Sequence, residues 1–439
     1  MATLLERAIH RMRPPGSSHL RTFTSLTAAS QGEAVLSMLS LVVLVRLAGT
    51  DRSGQLIFVQ ALSSVWFLLL DPRIEDAAQR YVPIEQQRSG QGSALFVCLL
   101  WWDVAIGVLA SGVGLLMVLA AWLLGLATGD LTLMLALSLV SGGAAASTGA
   151  AGAAFALAGR LRDLGRVRLR CAVLSFGLSL GGLLAGGPPA YLAGQCAAAI
   201  VTAVVLGMLS LRTISAHIGP AVTRGRLPAG LIAFTLKASA GTSVAAASES
   251  GVLTLAGFLG GPSLVTILKI ASAPGRFYTS LISPITSMLY PRLAQAAAAG
   301  EPALIRRDVM RATLMLTAAG AMALAVVVPV AGDALGLVYG APYVQAGQTA
   351  GLLLGVACVK GGASWSKVLP LAMGRPVWRI AYLTAEGVLL LGLLLIADRV
   401  APDAVRTSLT FGWGALALAV LGTGFWITWL QRLTKVGGR

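Results

Sequence analysis

Long apolar runs, separated by short polar or basic segments, recur along the whole chain. A helix of about 20 apolar residues crosses about 30 Å of hydrocarbon and satisfies its own backbone hydrogen bonds there. The pattern therefore predicts an all-α polytopic membrane protein with about twelve transmembrane helices. The predicted spans are residues 23–47, 55–78, 93–124, 131–158, 169–186, 190–211, 230–258, 263–289, 310–331, 343–371, 377–397 and 407–430.

The composition supports this fold class. Of the 439 residues, 56% are hydrophobic and 11% are charged, with a mean hydropathy of +0.81. These values lie far outside the range of soluble globular proteins. The first 22 residues are basic and polar, and no convincing cleavage site follows them, so we expect a cytoplasmic tail rather than a signal peptide.

The longest polar interruption between spans, "SAHIGPAVTRGRLPAG" at 215–230, separates six predicted spans from six. The chain is therefore expected to form two six-helix lobes, each of which begins and ends on the same side of the membrane. The expected domains are a cytoplasmic basic tail (1–22), an amino-terminal lobe (23–212), a cytoplasmic linker (213–228), a carboxy-terminal lobe (229–431) and a cytoplasmic tail (432–439).

Weak self-similarity between the lobes suggests a parallel internal repeat. "LVRLAGTDRSGQL" joins spans 1 and 2, and "LAGFLGGPSLV" joins spans 7 and 8 through a similarly short turn. Proline then stands beside arginine in each following span, in "LDPR" at 70–73 and "APGR" at 273–276.

Basic residues outnumber acidic ones by 33 to 17, and their placement explains the excess. With the amino terminus inside, 23 of the 33 fall in cytoplasmic segments and three in outer loops. This asymmetry follows the positive-inside rule and predicts that both termini are cytoplasmic. The net charge of +16 therefore indicates contact with anionic membrane lipids and not with nucleic acid.

Cysteine and histidine give no sign of a metal or cofactor site. The four cysteines are spread through four predicted spans without metal-ligand spacing, and the three histidines fall in predicted cytoplasmic segments. We expect no cofactor apart from a candidate coupling ion, H⁺ or Na⁺.

Seven of the 33 basic residues belong neither to the cytoplasmic segments nor to the outer loops, and all seven fall inside predicted spans. A cation at the bilayer centre costs about 2.5–3.5 kcal/mol, so most of these side chains must face protein or water. Arg46 stands at the end of its span and can extend to the interface. The seven are Arg46, Arg73, Lys237, Lys269, Arg276, Lys360 and Lys367.

The second lobe carries five of these cations against two acids within its spans, Glu249 and Glu386. Lys269 and Arg276 are seven residues apart, as are Lys360 and Lys367, and seven residues make about two helical turns. Each pair is therefore expected on one helix face. This excess predicts an anion site, for which a phosphate group is the expected ligand. The alternative is that the cations pair with acids of the other lobe as structural bridges, or that some lysines are buried neutral.

The charged residues within the spans of the first lobe are mainly acidic, in contrast to those of the second lobe. Its spans hold Glu33, Asp71 and Asp103 against Arg73. Glu33 and Asp71 are candidates for binding a counter-moving proton or sodium ion, and they could equally hold Arg73.

The segment "LKIASAPGRF" (268–277) places a Pro274–Gly275 pair between two cations. Proline removes a helical hydrogen bond, and we expect the glycine to loosen the turn. Backbone polar groups freed at membrane depth are tolerated beside a cavity, so a cavity is expected here.

Three segments of the chain resemble a known family. "RLAGTDRSGQLIFVQAL" (46–62), "MLYPRLAQAAAAGE" (288–301) and "LGLVYGAPYVQAG" (335–347) are similar to motifs of oligosaccharide flippases and polysaccharide transporters of the Wzx type. That family belongs to the MATE/MOP flippase superfamily, and the resemblance runs over essentially the whole chain. Gln55 departs from the family pattern, where an aromatic or aliphatic residue is expected after the glycine.

The resemblance implies movement of an undecaprenyl-pyrophosphate-linked oligosaccharide from the cytoplasmic to the outer leaflet by alternating access. It also implies the bacterial inner membrane, a role in O-antigen, capsule or exopolysaccharide assembly, and the polysaccharide polymerase machinery as a partner. No family motif fixes individual cations. On this hypothesis the pyrophosphate is held by Lys237, Lys269, Arg276, Lys360, Lys367 and Arg73.

Alternatives remain at the sequence level. Trp101 and Trp102 are candidates for stacking on sugar rings, or else they pack and anchor the helix at the interface. A MATE-like multidrug or cation antiporter would need an acidic, aromatic cavity. A membrane glycosyltransferase, ligase or polymerase is disfavoured, since the sequence contains no Walker motif, metal cluster or nucleophile with a partnered base.

Overall fold

The computed structural model describes residues 17–70, 74–220, 228, 230–373, 376–401 and 403–436, which are helices with short connections and contain no strand. Two 3₁₀ turns, Ala341–Ala346 and Ser364–Lys367, flank α11. The helices are α1 (Ser17–Leu70), α2 (Ile74–Ser89), α3 (Gly92–Leu123), α4 (Gly129–Ala146), α5 (Thr148–Leu157), α6 (Leu161–Ile218), α7 (Leu231–Leu259), α8 (Gly261–Ala271), α9 (Ala273–Ala298), α10 (Pro302–Tyr339), α11 (Gly347–Gly362), α12 (Leu369–Ala372), α13 (Pro376–Val400) and α14 (Ala404–Val436).

Seven segments of the described chain are long and apolar enough to cross a membrane. Two of them have 59 and 58 residues, far more than the roughly 20 that one crossing needs. Each of these two contains a break, at Gly49 (φ 77°) in α1 and at Gly186–Gly187 in α6, so each can supply two crossings. The predicted class, an all-α polytopic membrane protein, is confirmed.

The helix bounds differ from several predicted ones. The expected tail 1–22 is already helical from Ser17, and α6 continues to Ile218, beyond the expected end of the first lobe at 212. Predicted span 4 is two helices that meet at Ser147, because a small-residue stretch tolerates a break. Residues 221–227 of the expected linker (213–228) lie outside the described residues, as does residue 229.

The described helices pack in two groups. Helices α1–α6 contact one another, α7–α14 contact one another, and the groups meet mainly where α1 packs against α7 and α8. One core cluster joins α2, α3, α5 and α6 around Phe96, and another joins α9, α10, α12 and α14 around Trp365 and Trp426. The predicted lobe boundaries stay a prediction.

The groups approach most closely at a contact that we call the glycine junction, formed by Gly49–Gly54 and Pro262–Thr266. A β-carbon at Gly54 would lie 2.1 Å from the carbonyl oxygen of Pro262, so only glycine permits this approach. The Thr266 hydroxyl donates to the carbonyl oxygen of Thr50 at 3.0 Å. The two turns that suggested an internal repeat therefore pack against each other.

A second motif closes the same end of the molecule. The Tyr343 hydroxyl donates to Thr50 Oγ1 at 2.9 Å, and Arg46 Nε donates to the carbonyl oxygen of Val338 at 2.7 Å. Arg46 thus caps the carboxyl end of α10. Two of the three motifs that carry the family resemblance lie in contact here. Away from this end, Gln31 and Ser280 exchange hydrogen bonds between α1 and α9.

Candidate functional site

A cavity of about 370 Å³, the cation cavity, lies between the two helix groups. It is lined by α1 from Glu33 to Leu44, by α6, and by α8 and α9. Lys269, Arg276 and Glu33 are the charged side chains along its wall. The structure therefore brings together two of the cations and one of the acids that the sequence singled out.

A helix break positions the two cations. Helix α8 ends at Ala271 and α9 begins at Ala273, so Pro274 lies in the first turn of a new helix, where its missing N–H is tolerated. The carbonyl oxygen of Lys269 accepts from Ser272 Oγ at 2.8 Å and from Arg276 Nη2 at 2.9 Å. Arg276 therefore satisfies a backbone acceptor that the break leaves open.

The expected role of Gly275 was wrong. Gly275 lies within α9, and a β-carbon on this residue would lie 3.1 Å from the carbonyl oxygen of Leu353 in α11. The glycine permits close packing of two helices and does not loosen a turn. This packing holds Arg276, the next residue, at a fixed place beside the cavity.

The cavity has an excess of positive charge. Among the described residues, neither Lys269 nor Arg276 has a carboxylate oxygen within 4.0 Å. Glu249 of α7 attracts both from farther away, and Glu33 is attracted by Arg168 of α6. Two neighbouring cations without a contacting acid create a positive field that favours an anion.

A second cavity of about 600 Å³, the hydroxyl cavity, adjoins the first. Its walls come from α1 from Ile57 onward and from α3 and α4, with two residues from α7 and one each from α6 and α8. Ile57, Gln60, Gln195 and Lys269 line both cavities. Gln60 Nε2 donates to Gln195 Oε1 at 2.8 Å, so an amide pair and one ammonium group mark the boundary.

The hydroxyl cavity carries hydroxyl groups on a largely apolar wall, with Asp103 and Lys269 as its charged side chains. Its hydroxyl groups come from Ser63, Ser64, Ser138, Ser141 and Ser250. Its acid, Asp103, is 4% exposed and accepts the backbone N–H of Ala150 at 3.3 Å.

Lys360 and Lys367 lie elsewhere, in a small pocket of about 40 Å³ among α11, the second 3₁₀ turn, α13 and α14. Lys360 Nζ lies 2.5 Å from Glu386 Oε1, and Arg379 lines the same pocket. The predicted pyrophosphate set is therefore divided, which corrects the expectation of a single site. Lys360 pairs with an acid of its own lobe, whereas the alternative expected pairing with acids of the other lobe.

The remaining predicted site residues are distributed as follows. The side chain of Lys237 in α7 lies outside the described part of the chain, as do Asp71 and Arg73 entirely. Trp101 is 67% exposed on α3, and Trp102 packs against the hydrophobic core around Phe96. Neither tryptophan lines either of the two adjoining cavities.

Sequence reasoning missed the amide pair and Arg379. Gln60 and Gln195 are isolated amides in apolar runs, and an amide that must avoid hydrocarbon was a usable signal. Arg379 was assigned to a cytoplasmic segment, and charge counting gave no reason to place it beside Lys367.

No protein-family model matches the chain, and no curated protein matches it either. Solved structures do. An inward-facing multidrug resistance MATE family transporter of the MOP superfamily matches with a TM-score of 0.72 at 12% identity, over 92% of this chain and 95% of that one. An outward-facing MATE transporter of the same superfamily matches with a TM-score of 0.65 at 11% identity, over 95% and 96%.

A MOP superfamily transporter from Pyrococcus furiosus, described as having a binding pocket of reverse polarity, matches with a TM-score of 0.66 at 11% identity over 96% of both chains. The chain therefore has the fold of MOP superfamily transporters. Fold alone leaves open what is bound.

Proposed function

We propose that the chain is a membrane transporter that moves an undecaprenyl-pyrophosphate-linked oligosaccharide from the cytoplasmic to the outer leaflet by alternating access. The observation that carries this proposal is the cation cavity, where Lys269 and Arg276 lie between the two helix groups and contact no carboxylate of the described residues. A pyrophosphate supplies the charge that this cavity lacks. Lysine suits a transported phosphate because it offers a point charge without a rigid bidentate grip.

The shape of the molecule supports alternating access. The helix groups are in tight contact at the glycine junction, while the cation cavity extends from Leu44 toward Glu33 on the other side of it. The higher TM-score against the inward-facing transporter agrees with a state closed at the outer end. A membrane potential negative inside would favour outward movement of the anion by about 2.3 kcal/mol per charge per 100 mV.

A MATE-like cation antiporter is the second candidate, and the fold supports it equally. Its specific support is that Glu33 and Asp103 line the two adjoining cavities. The sign of the charge in the pocket separates the two candidates. The Pyrococcus furiosus transporter, with its reverse polarity of the binding pocket, is a precedent for such variation on this fold.

The deciding experiment deletes the gene and measures lipid-linked oligosaccharide in the two leaflets. The flippase predicts accumulation on the cytoplasmic side, restored to the outer leaflet by the wild-type gene. Normal leaflet distribution with increased sensitivity to cationic dyes would support the antiporter. Normal flipping with unextended or unligated glycan would instead support an enzyme acting on the same lipid carrier.

The access mechanism has its own test. Gly54→Val places a branched side chain against the Pro262 backbone, and overpacking of this kind costs about 1–3 kcal/mol. We expect the glycine junction to open, which paired spin labels across it would record as a longer distance. Gly112→Val is the matched control, since nothing lies within 4 Å of a β-carbon there. An unchanged distance in Gly54→Val would contradict the role of this contact.

A further inference from the structure

We propose that the hydroxyl cavity binds the saccharide part of the substrate, with the first sugar next to the pyrophosphate position at Lys269. This inference rests on the proposed function and adds to it a separate binding region, formed mainly by α1, α3 and α4.

The chemistry of the cavity wall fits an uncharged group with many hydroxyls. Each serine hydroxyl offers one donor and two acceptor positions, and each glutamine amide offers both kinds of group. Five serines and the Gln60–Gln195 pair therefore form a mixed donor and acceptor surface. Phe67 adds an aromatic ring, on which the apolar face of a sugar can pack.

One hydroxyl in this wall lacks a partner. Ser63 is 5% exposed, and its Oγ makes no hydrogen bond in the structure. Ser64, the next residue, differs because its hydroxyl donates to the carbonyl oxygen of Gln60 at 2.7 Å. A buried hydroxyl without a partner is unfavourable. The Ser63 oxygen is closed off from the cavity in this conformation, so it must rotate about its Cα–Cβ bond to reach a ligand hydroxyl.

Lys269 orders the substrate. It lines both cavities, so a phosphate near its ammonium group places the attached sugar beside the hydroxyl cavity. Because this ammonium group attracts an anion, the charge distribution favours the phosphate at Lys269 and the neutral part beyond it.

The volume of the hydroxyl cavity also suits a saccharide. The hydroxyl cavity has a volume of about 600 Å³, within the range of about 300–1,000 Å³ found for small-molecule sites. Ala145 and Ala146 line it with small side chains, so larger residues at these two positions would reduce the space.

The test compares two probes on the full chain in lipid nanodiscs. One is undecaprenyl pyrophosphate, and the other is lipid-linked oligosaccharide extracted from the cells that make it. We expect the wild type to bind the second probe more tightly. Ser63→Ala should weaken binding of the second probe by roughly 2- to 10-fold, as loss of one hydrogen bond does, and leave the first unchanged.

Stability provides the readout that separates binding from folding. Because Ser63 Oγ has no partner, Ser63→Ala should leave Tm unchanged or raise it while it weakens binding. Ser210→Ala is the matched control, since that buried hydroxyl donates to the carbonyl oxygen of Gly207 and lies outside both cavities. Ser141→Leu fills the cavity and should weaken binding of the glycosylated probe more than Ser63→Ala does.

Three outcomes would overturn the inference. Equal wild-type affinity for the two probes, or an equal loss for both in Ser63→Ala and Ser141→Leu, would remove the sugar from the hydroxyl cavity while the anion site stands. Binding of neither probe would reject the proposed function itself. Tight binding of ethidium that Ser63→Ala weakens would assign the cavity to an organic cation.

Discussion

The cation cavity and the pocket around Lys360 begin from the same sequence pattern and end in different chemistry. Each holds a lysine followed seven residues later by a second cation, Arg276 or Lys367. In the pocket, Lys360 Nζ lies 2.5 Å from Glu386 Oε1 on α13. In the cation cavity, no described carboxylate lies within 4.0 Å of either cation.

The difference teaches that the spacing of charges along one helix does not decide whether they are neutralised. A neighbouring helix decides it, because the acid that pairs with Lys360 comes from a segment some 26 positions away in sequence, at Glu386. The paired lysine is expected to act mainly on stability and the unpaired lysine mainly on binding. Four experiments follow from this contrast.

The largest effect is expected from charge reversal at Lys269. Lys269→Glu removes a charge-assisted hydrogen bond of about 1.5–3 kcal/mol and adds repulsion, so export should fall by about 100-fold or more. The measurement is the fraction of lipid-linked oligosaccharide that reaches the outer leaflet, at equal amounts of folded protein in the membrane. Wild-type export in Lys269→Glu would reject the anion site.

Charge reversal at Lys360 is expected to have a different effect from charge reversal at Lys269. Lys360→Glu places two carboxylates together and should reduce the amount of folded protein, and the exchange Lys360→Glu with Glu386→Lys should restore it. No described carboxylate contacts Lys269, so its variant should have no comparable rescue. Failure of the exchange to restore folded protein would contradict the pairing.

A smaller effect is expected from neutral substitutions. Lys360→Ala leaves Glu386, which is 12% exposed, without its partner, and since the lysine itself is 33% exposed we expect a loss of about 1–3 kcal/mol in the free energy of unfolding. Adding Glu386→Ala should recover most of it. Lys269→Ala should leave stability unchanged or raise it, because it removes repulsion with Arg276. Tryptophan fluorescence during denaturation in detergent measures all three.

If Lys360→Ala and Lys269→Ala destabilise the protein equally, the contrast between a paired and an unpaired lysine fails.

The smallest effect is expected from salt. Between about 0.1 and 1 M salt the Debye length falls from about 10 to about 3 Å, which screens charges that face water. Affinity of the cation cavity for inorganic pyrophosphate should fall several-fold. The stability difference between wild type and Lys360→Ala should change less, because the Glu386 carboxylate is largely buried. If the pyrophosphate affinity and this stability difference were equally sensitive to salt, the two sites would be equally accessible to water.

The fold class could be predicted because hydrophobic length is a local property of the sequence. The positions of the helix breaks could not be predicted in this way. Ser147 and Ser272 divide single apolar runs into two helices, and composition does not separate these serines from those inside helices. The glycine pattern was more informative, since Gly49 and Gly54 stand where a positive φ and a close helix approach require them.

The site was predictable in part. Lys269, Arg276 and Glu33 stood out as charges in apolar runs, and they line one cavity. The sequence placed Lys360 and Lys367 with them, and it assigned no role to Ser63 or Gln195. Serine occurs in many membrane helices, so its contribution to a cavity wall depends on which helices face each other.

The sequence by itself determined that the chain crosses a membrane many times as helices, because hydrocarbon excludes an unsatisfied backbone. It also determined that some cations must find protein or water. Only the tertiary structure decided which cation meets a carboxylate, where two cavities adjoin, and that two distant turns close one end of the molecule. Those outcomes depend on contacts between helices far apart in sequence, and a charge is neutralised only by a group that packing brings within a few ångströms.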